Sequence, residues 1–552
     1  MMGKCLICGK SENYANIYGC NLCKDCYQML DMWETAECAF EEWKSSIENY
    51  RSQEEGVDYV VKEILAGIEQ ELCLQEQKQE VLKRLKEKIH LHLQYYSNSE
   101  VHIAILMVRE LVRRLLLKNR EKCGWEVISD LSASNLLLRV ADDISEVEYE
   151  NNPMGSLEQG ASNFITALCL ARRYNLIEEN CNLTQNENVC IEDICYEAFE
   201  TSETNKFFPK YLLNGVSEKA EDYIIRNKAL KDKLEREAKT PEYILRDLDG
   251  LLKKEFGFER KDYKDLCRRL LRYEFSTRND YENYFESDKL FINMPLTVLK
   301  KTTLEDICGC ETLEALLNAF SINRAIGECR KDEELELFSF YENGEFIVVG
   351  NFDFLQNISA FEKFILSKDY IDIFKISNEF SKALTKTQKK MSKYIAISAA
   401  DYLFLNGYKL PMEKYDSQWI PRAEIDKIKI GGKQVLSACG DIDVLALDTE
   451  RKIVLLFEIK YYKPAITSFE MLYKDKSKID EDEVIRKMEN RERVVLENLD
   501  EIVKYVLGEY EYGYEVKSIF LTPRANYYAV NENKLNYLTW AEFMEKAKCK
   551  NL

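Results

Sequence analysis

The stretch "GDIDVLALDTERKIVLLFEIK" (440–460) constrains the fold of this chain more than any other. Five consecutive apolar residues, Ile453 to Phe457, read as the inside of a sheet, and "DIDVLAL" just upstream reads as a second strand. The polar run Asp448-Thr449-Glu450-Arg451-Lys452 between them predicts a turn, hence two strands joined directly. Side chains alternate along a strand, so Glu458 and Lys460 share one face while Phe457, Ile459 and Tyr461 share the other. With the turn centred near Glu450 and Arg451, Asp443 falls opposite Glu458. Like charges facing each other across a strand pair destabilise it unless something positive lies between them. A divalent cation meets that need. Asp441, on the same strand face as Asp443, is a candidate supporting acid.

The 552 residues suffice for two to four domains. No apolar stretch of about 18 residues lacks charges. The closest, "VHIAILMVRELVRRLLL" (101–117), is interrupted by Arg and Glu as an amphipathic helix is, so no membrane span is expected. The start "MMGKCLICGK" has no apolar core of the kind a secretory signal needs, which predicts a cytoplasmic protein. In that compartment the 18 cysteines argue for metal ligands or reduced thiols rather than disulfides.

A net charge of −20 counts against a nucleic-acid partner, but its distribution matters. Of 77 Lys+Arg and 97 Asp+Glu, residues 385–552 hold 28 and 27, leaving 49 and 70 for residues 1–384. The C-terminal part is near neutral, and a locally basic groove there is compatible with phosphate binding. Histidine excludes more. The three histidines, His90, His92 and His102, all lie in the N-terminal half. Ser-His-Asp and Cys-His hydrolases, His-metal nucleases and H-E-x-x-H proteases are therefore disfavoured. His90 and His92, two apart on a helix, do not share a face and read as ordinary surface or packed residues. No G-x-x-x-x-G-K-[ST] loop occurs, and "IGGKQ" (430–434) lacks the spacing of a phosphate cradle.

The N-terminus carries Cys5-x-x-Cys8 and then Cys20, Cys23 and Cys26. Two C-x-x-C pairs supply four thiolates for a tetrahedral structural Zn²⁺, with Cys5, Cys8, Cys23 and Cys26 the best-fitting set and Cys20 an alternative to Cys23. This stretch resembles zinc-binding modules of the treble-clef or zinc-ribbon type, which bind protein or nucleic acid or simply close a fold. Residues 35–384 read mainly as helices whose charge runs are solvated faces. One exception is the stretch 335–355, where Asn343-Gly344 between two β-rich runs predicts a hairpin. This region reads as a regulatory or scaffold body, with further candidate boundaries near 33–50, 150–156 and 380–390.

From residue 385 the expected order is helix, two or three strands, helix, strand, strand and helix. "GDIDVLALD" followed by "EIK" within this order resembles the PD-(D/E)xK nuclease superfamily, closest to its restriction-endonuclease-like branches. The resemblance covers the last part of the chain, 385–552. It implies that Asp443 and Glu458 ligate Mg²⁺ (or Mn²⁺), with the Ile459 backbone carbonyl a further oxygen, and that Lys460 positions the attacking water or offsets charge on the phosphate. It also implies a DNA substrate more readily than RNA, and, by analogy alone, a role in restriction or antiviral defence. One departure is the lack of a Glu in the preceding helix, "QKKMSKYIAISAADY", where Asp401 is the sole acid. Asp401 or Glu424 is a candidate substitute. For phosphate binding, Lys463 and the helix residues Arg486, Lys487, Arg491 and Arg493 are weak candidates, since basic residues mixed with Glu489 and Glu492 describe a solvated helix face better.

The expected architecture is multidomain: a small zinc module (1–34), a mainly α-helical middle (35–384) and a C-terminal α/β domain (385–552) with a central mixed sheet. The expected function is a metal-dependent DNA endonuclease. Two alternatives stay open, a catalytically inactive nuclease-fold adaptor that recruits a protein partner through its zinc module or acidic body, and an RNA-directed nuclease.

Overall fold

The computed structural model describes residues 14–17, 20–23, 38, 41–43, 45, 50–69, 71–95, 98–118, 125–144, 157–183, 189–196, 220, 223–237, 239–276, 296–326, 335, 337–367, 375–425, 429–430, 433–434, 440–462 and 473–552. The chain forms two compact units. The first comprises Met1–Phe199, Gly250–Glu362 and Tyr370–Ile376; the second comprises Glu200–Asp249, Lys363–Asp369 and Ser377–Leu552. The stretch 35–384, read as mainly helical with candidate boundaries of its own, contributes to both units.

The first unit opens with an antiparallel hairpin, β1 (Tyr14–Ile17) and β2 (Cys20–Cys23). Cys5, Cys8 and Cys26 of the expected zinc set lie outside the described residues, as does the side chain of Cys23. A helical body follows, with α1 (Tyr50–Ala66), α2 (Leu74–Leu93), α3 (Asn98–Lys118), α4 (Trp125–Asp142) and α5 (Leu157–Leu183). In α2, Val81, Leu85, Ile89 and Leu93 recur every fourth position and are all buried, the pattern of a helix with one face on a core. Its start is held by a capping box in which the Cys73 N–H donates to Glu76 Oε2 at 2.9 Å.

The expectation of an amphipathic helix at 101–117 needs correction. Every residue from Val101 to Val112 is buried, the ionic ones Arg109 and Glu110 included. A helix apolar all round occupies the middle of a core, and its charges must then be paired inside. They meet the start of α6 (Asn351–Ser367), where Glu110 accepts the N–H groups of Phe352 and Asp353, and Arg109 pairs with Asp353 at 3.1 Å. Gly350 is required beside them, since a Cβ there would sit 2.6 Å from Glu110 Oε2.

The hairpin near 335–355 forms as β4 (Phe340–Asn343) and β5 (Phe346–Gly350), with Gly344 at φ +57° in its two-residue loop. A third strand, β3 (Leu296–Lys300), adds to β5 to give an antiparallel sheet of order β3-β5-β4. His102 is buried and stacks on Tyr341, and His92 is hydrogen-bonded to Asn163, in keeping with packed roles. Among the described residues no helix is long and apolar enough to cross a membrane.

The second unit contains α7 (Asn378–Leu405), a small hairpin β6 (Met412–Tyr415) and β7 (Gln418–Pro421), then β8 (Val444–Asp448) and β9 (Ile453–Ile459). After them come α8 (Val484–Glu497), α9 (Leu499–Leu507), β10 (Glu515–Thr522), β11 (Tyr537–Thr539) and α10 (Trp540–Lys548). The strands make a mixed sheet of order β8-β9-β10-β11, antiparallel at the first pair and parallel at the other two. Both faces are covered, which is why β8 and β9 are near-continuous apolar runs. On one face Leu445, Leu447, Val454 and Leu456 pack with Val494, Val495, Ile502 and Val503 of α8 and α9. On the other, Phe457 meets Phe543 of α10, which in turn contacts Tyr402 of α7.

The turn between β8 and β9 is where the polar run placed it. Asp448 Oδ1 accepts the N–H groups of Glu450 and Arg451 at 3.1 and 3.2 Å, and Asp448 pairs with Ile453. The outer edge of β8 is covered by single bridges, Lys409 to Leu447 and Ile425 to Ile442.

Candidate active site

The strand register creates the site. Val444 pairs with Phe457, so one step beyond the ladder the same register sets Asp443 across from Glu458. The Ile459 N–H donates to Asp443 Oδ2 at 2.6 Å, fixing that carboxylate against the end of β9. Glu458 points to the α8 face and is fully buried, paired with Lys460 Nζ at 2.9 Å and with the guanidinium of Arg491 from α8. The positive charge that two facing carboxylates need is therefore supplied from within the protein. Burial pushes the Asp443 carboxyl up, while the Ile459 N–H, Lys460 and Arg491 pull it down.

Asp443 is half-buried and opens on a cavity of about 410 Å³. Asp441, exposed, and Glu424 line it too, with Lys393 from α7, Lys233 and Lys239 from the segment 228–239, and Arg422. Glu458 and Lys460 are not in that lining. Glu424 has a left-handed backbone, φ +51°, rare for a residue with a side chain. Its N–H donates to the Asp443 carbonyl at 2.8 Å and its carboxylate pairs with Lys393, so the conformation is held from both sides. Backbone strain of this kind concentrates at sites where a side chain must be aimed.

Asp401, expected as a supporting acid, has another task. Fully buried, it accepts from the Tyr223 hydroxyl at 2.9 Å and from the N–H groups of Arg226 and Asn227 at 3.1 and 3.3 Å, and it does not line the cavity. It anchors the segment that carries Lys233 onto α7. Asp401→Asn is expected to destabilise this unit by about 2 kcal/mol while leaving divalent-ion binding unchanged, as read by urea unfolding and Mn²⁺ titration. A fall in Mn²⁺ affinity in the folded variant would return Asp401 to the site.

Of the proposed phosphate contacts, Arg486 and Arg493 are exposed and paired on their own helix with Glu483 and Glu497, the solvated-face arrangement. Lys487 is half-buried on α8, and Lys463 lies outside the described residues. Among the described members of the group, Arg491 alone has an observed contact with the candidate acids. Sequence reasoning missed Lys393, Lys233, Lys239 and Arg422. Lys393 and Ile397, four apart on one helix face, were a readable pair; nothing in the sequence placed residues 228–239 beside Asp443.

Among the described residues no three His, Cys, Asp or Glu side chains converge as a metal cluster. The pair Asp443 and Glu458 nevertheless suits a hard cation that takes one or two carboxylates and completes its shell with water and phosphate. The cationic groups of Lys460 and Arg491 at Glu458, both acting on Asp443, mark the position as one that holds positive charge. Comparisons of the chain with protein-family models, with curated proteins and with solved structures give no match.

Proposed function

We propose that the protein is a metal-dependent nuclease hydrolysing DNA phosphodiester bonds at Asp443, Glu458 and Lys460, on the pattern of the PD-(D/E)xK enzymes. The observation that carries this reading is the junction of β8 and β9, where two carboxylates and a lysine share one end of the sheet, with Asp443 open to a cavity. Asp443 and Glu458 would hold Mg²⁺ or Mn²⁺, which when bound supplies an acidified water and offsets charge developing on the phosphate. Lys460, beside Glu458, would orient that water and donate to a non-bridging phosphate oxygen. Lys393, Lys233 and Arg422 would line the path of the strand backbone.

Without a divalent ion the cavity is a poor phosphate site. Its lining has four cationic and five acidic side chains, and Lys233 and Lys393 are engaged with Glu413 and Glu424. DNA binding at this position should therefore depend on the metal. The two C-x-x-C pairs at the N-terminus, Cys5, Cys8, Cys23 and Cys26, would hold a structural Zn²⁺ distinct from this centre.

The test uses the full chain with linear, supercoiled and single-stranded DNA and with RNA, in Mg²⁺ or Mn²⁺ and in chelator. Cleavage is expected in metal and absent in chelator, with cutting of the circle marking an endonuclease. RNA cut in preference to DNA would move the substrate class. The burial of Glu458 favours one second reading, an inactive fold that binds a partner. That reading gains if nothing is cut and wild type, Asp443→Ala and Lys460→Ala bind DNA alike.

A further inference from the structure

We infer that Arg491 is an exchangeable counter-ion that occupies the cation position of the Asp443–Glu458 pair in the resting protein and must leave Glu458 before a divalent ion can bind. The inference rests on the nuclease reading and concerns how its metal centre is regulated.

Charge balance is the starting point. Two carboxylates, Asp443 and Glu458, stand together with two cations, Lys460 and Arg491, so the resting cluster is already neutral. Adding a divalent ion would leave it with two surplus positive charges in a place where the Glu458 side chain is 1% exposed. Low-dielectric surroundings make such a surplus costly, so a resident cation has to move out as the ion moves in. Glu458 is also sealed: both its oxygens are engaged by cations, and it has no share in the cavity on which Asp443 opens.

Of the two cations, Arg491 is the one built to leave. Lys460 belongs to the same strand end as Glu458, two residues away and on the same face, so it stays beside the carboxylate whatever binds. Arg491 reaches in from a separate element, α8, on a long side chain. Its planar fork matches a phosphate as well as a carboxylate. A nucleic-acid phosphate arriving at the site offers the released guanidinium a new partner, which couples metal binding to substrate binding.

The experiment is a Mn²⁺ titration of the full chain, followed by the electron paramagnetic resonance signal of free Mn²⁺, in wild type, Arg491→Gln, Arg491→Lys and Asp443→Asn. Arg491→Gln removes the competing charge and is expected to bind Mn²⁺ about tenfold or more tightly than wild type. Asp443→Asn is expected to lose the site. Wild type and Arg491→Gln binding Mn²⁺ equally, or the variant binding more weakly, overturns the counter-ion role and leaves the metal centre standing. Failure of both to exceed Asp443→Asn overturns the metal centre itself, and the counter-ion role with it. Should Arg491→Gln fail to fold, Arg491→Lys decides: its shorter side chain withdraws the charge from Glu458, so severalfold tighter Mn²⁺ binding is expected, and an unchanged affinity counts against the inference.

Discussion

Asp443→Asn is expected to lower metal-dependent cleavage about 10³-fold while leaving the folded chain intact, because the site loses a charge and almost nothing else. Asparagine has the same volume, and its Oδ1 can still accept the Ile459 N–H that Asp443 accepts at 2.6 Å. The stability of the second unit should hold, since the hydrogen bond that ties this side chain to the end of β9 is kept. What disappears is the anionic oxygen facing the cavity, the group through which a hard cation would be held. Single-turnover cleavage at saturating Mg²⁺, beside urea unfolding of the same samples, separates chemistry from folding. A folded variant that still cuts within about tenfold of wild type would remove Asp443 from the metal centre.

Glu110→Ala is expected to cost the first unit about 3–5 kcal/mol, the range for breaking one side of a buried ion pair. Glu110 is fully buried in α3, pairs with Arg114 at 2.6 Å and accepts the N–H groups of Phe352 and Asp353 at 3.0 and 2.8 Å. One carboxylate thus neutralises a buried arginine and caps the start of α6, where the helix dipole adds its own attraction for an anion. Alanine would strip both groups of this partner inside a core that water does not reach. Glu110→Gln keeps the shape and an acceptor but not the charge, so it should fall between alanine and wild type in denaturant unfolding. If alanine costs under about 1 kcal/mol, the cluster is not the linchpin it looks to be.

The sequence carried local information where the physics is local. The Asp448–Lys452 turn, the strands on either side of it and the gathering of Asp443 with Glu458 followed from alternation and a short polar run, because a tight turn leaves adjacent strands only one register. Much of the order of helices and strands after residue 385 was legible for the same reason, each element announcing itself by its own period, but the hairpin of β6 and β7 between α7 and β8 was not expected. Helix 101–117 was misread because Arg109 and Glu110 look like a solvated stripe in one dimension. Their partners, Asp353 and the start of α6, lie more than two hundred residues away.

By itself, then, the sequence determined the strand pair, the facing acids and the lysine beside Glu458, since neighbours in the chain are neighbours in a hairpin. Tertiary structure alone decided what surrounds them. It brought residues 228–239 to the cavity, drew Asp401 away from the site to anchor that segment, aimed Glu424 at the cavity through a left-handed backbone, and set Arg491 rather than Arg486 or Arg493 against Glu458. Those choices depend on helix rotation and on contacts between segments far apart in the chain. Single-sequence periodicity does not encode such distances, whereas packing both faces of one sheet does.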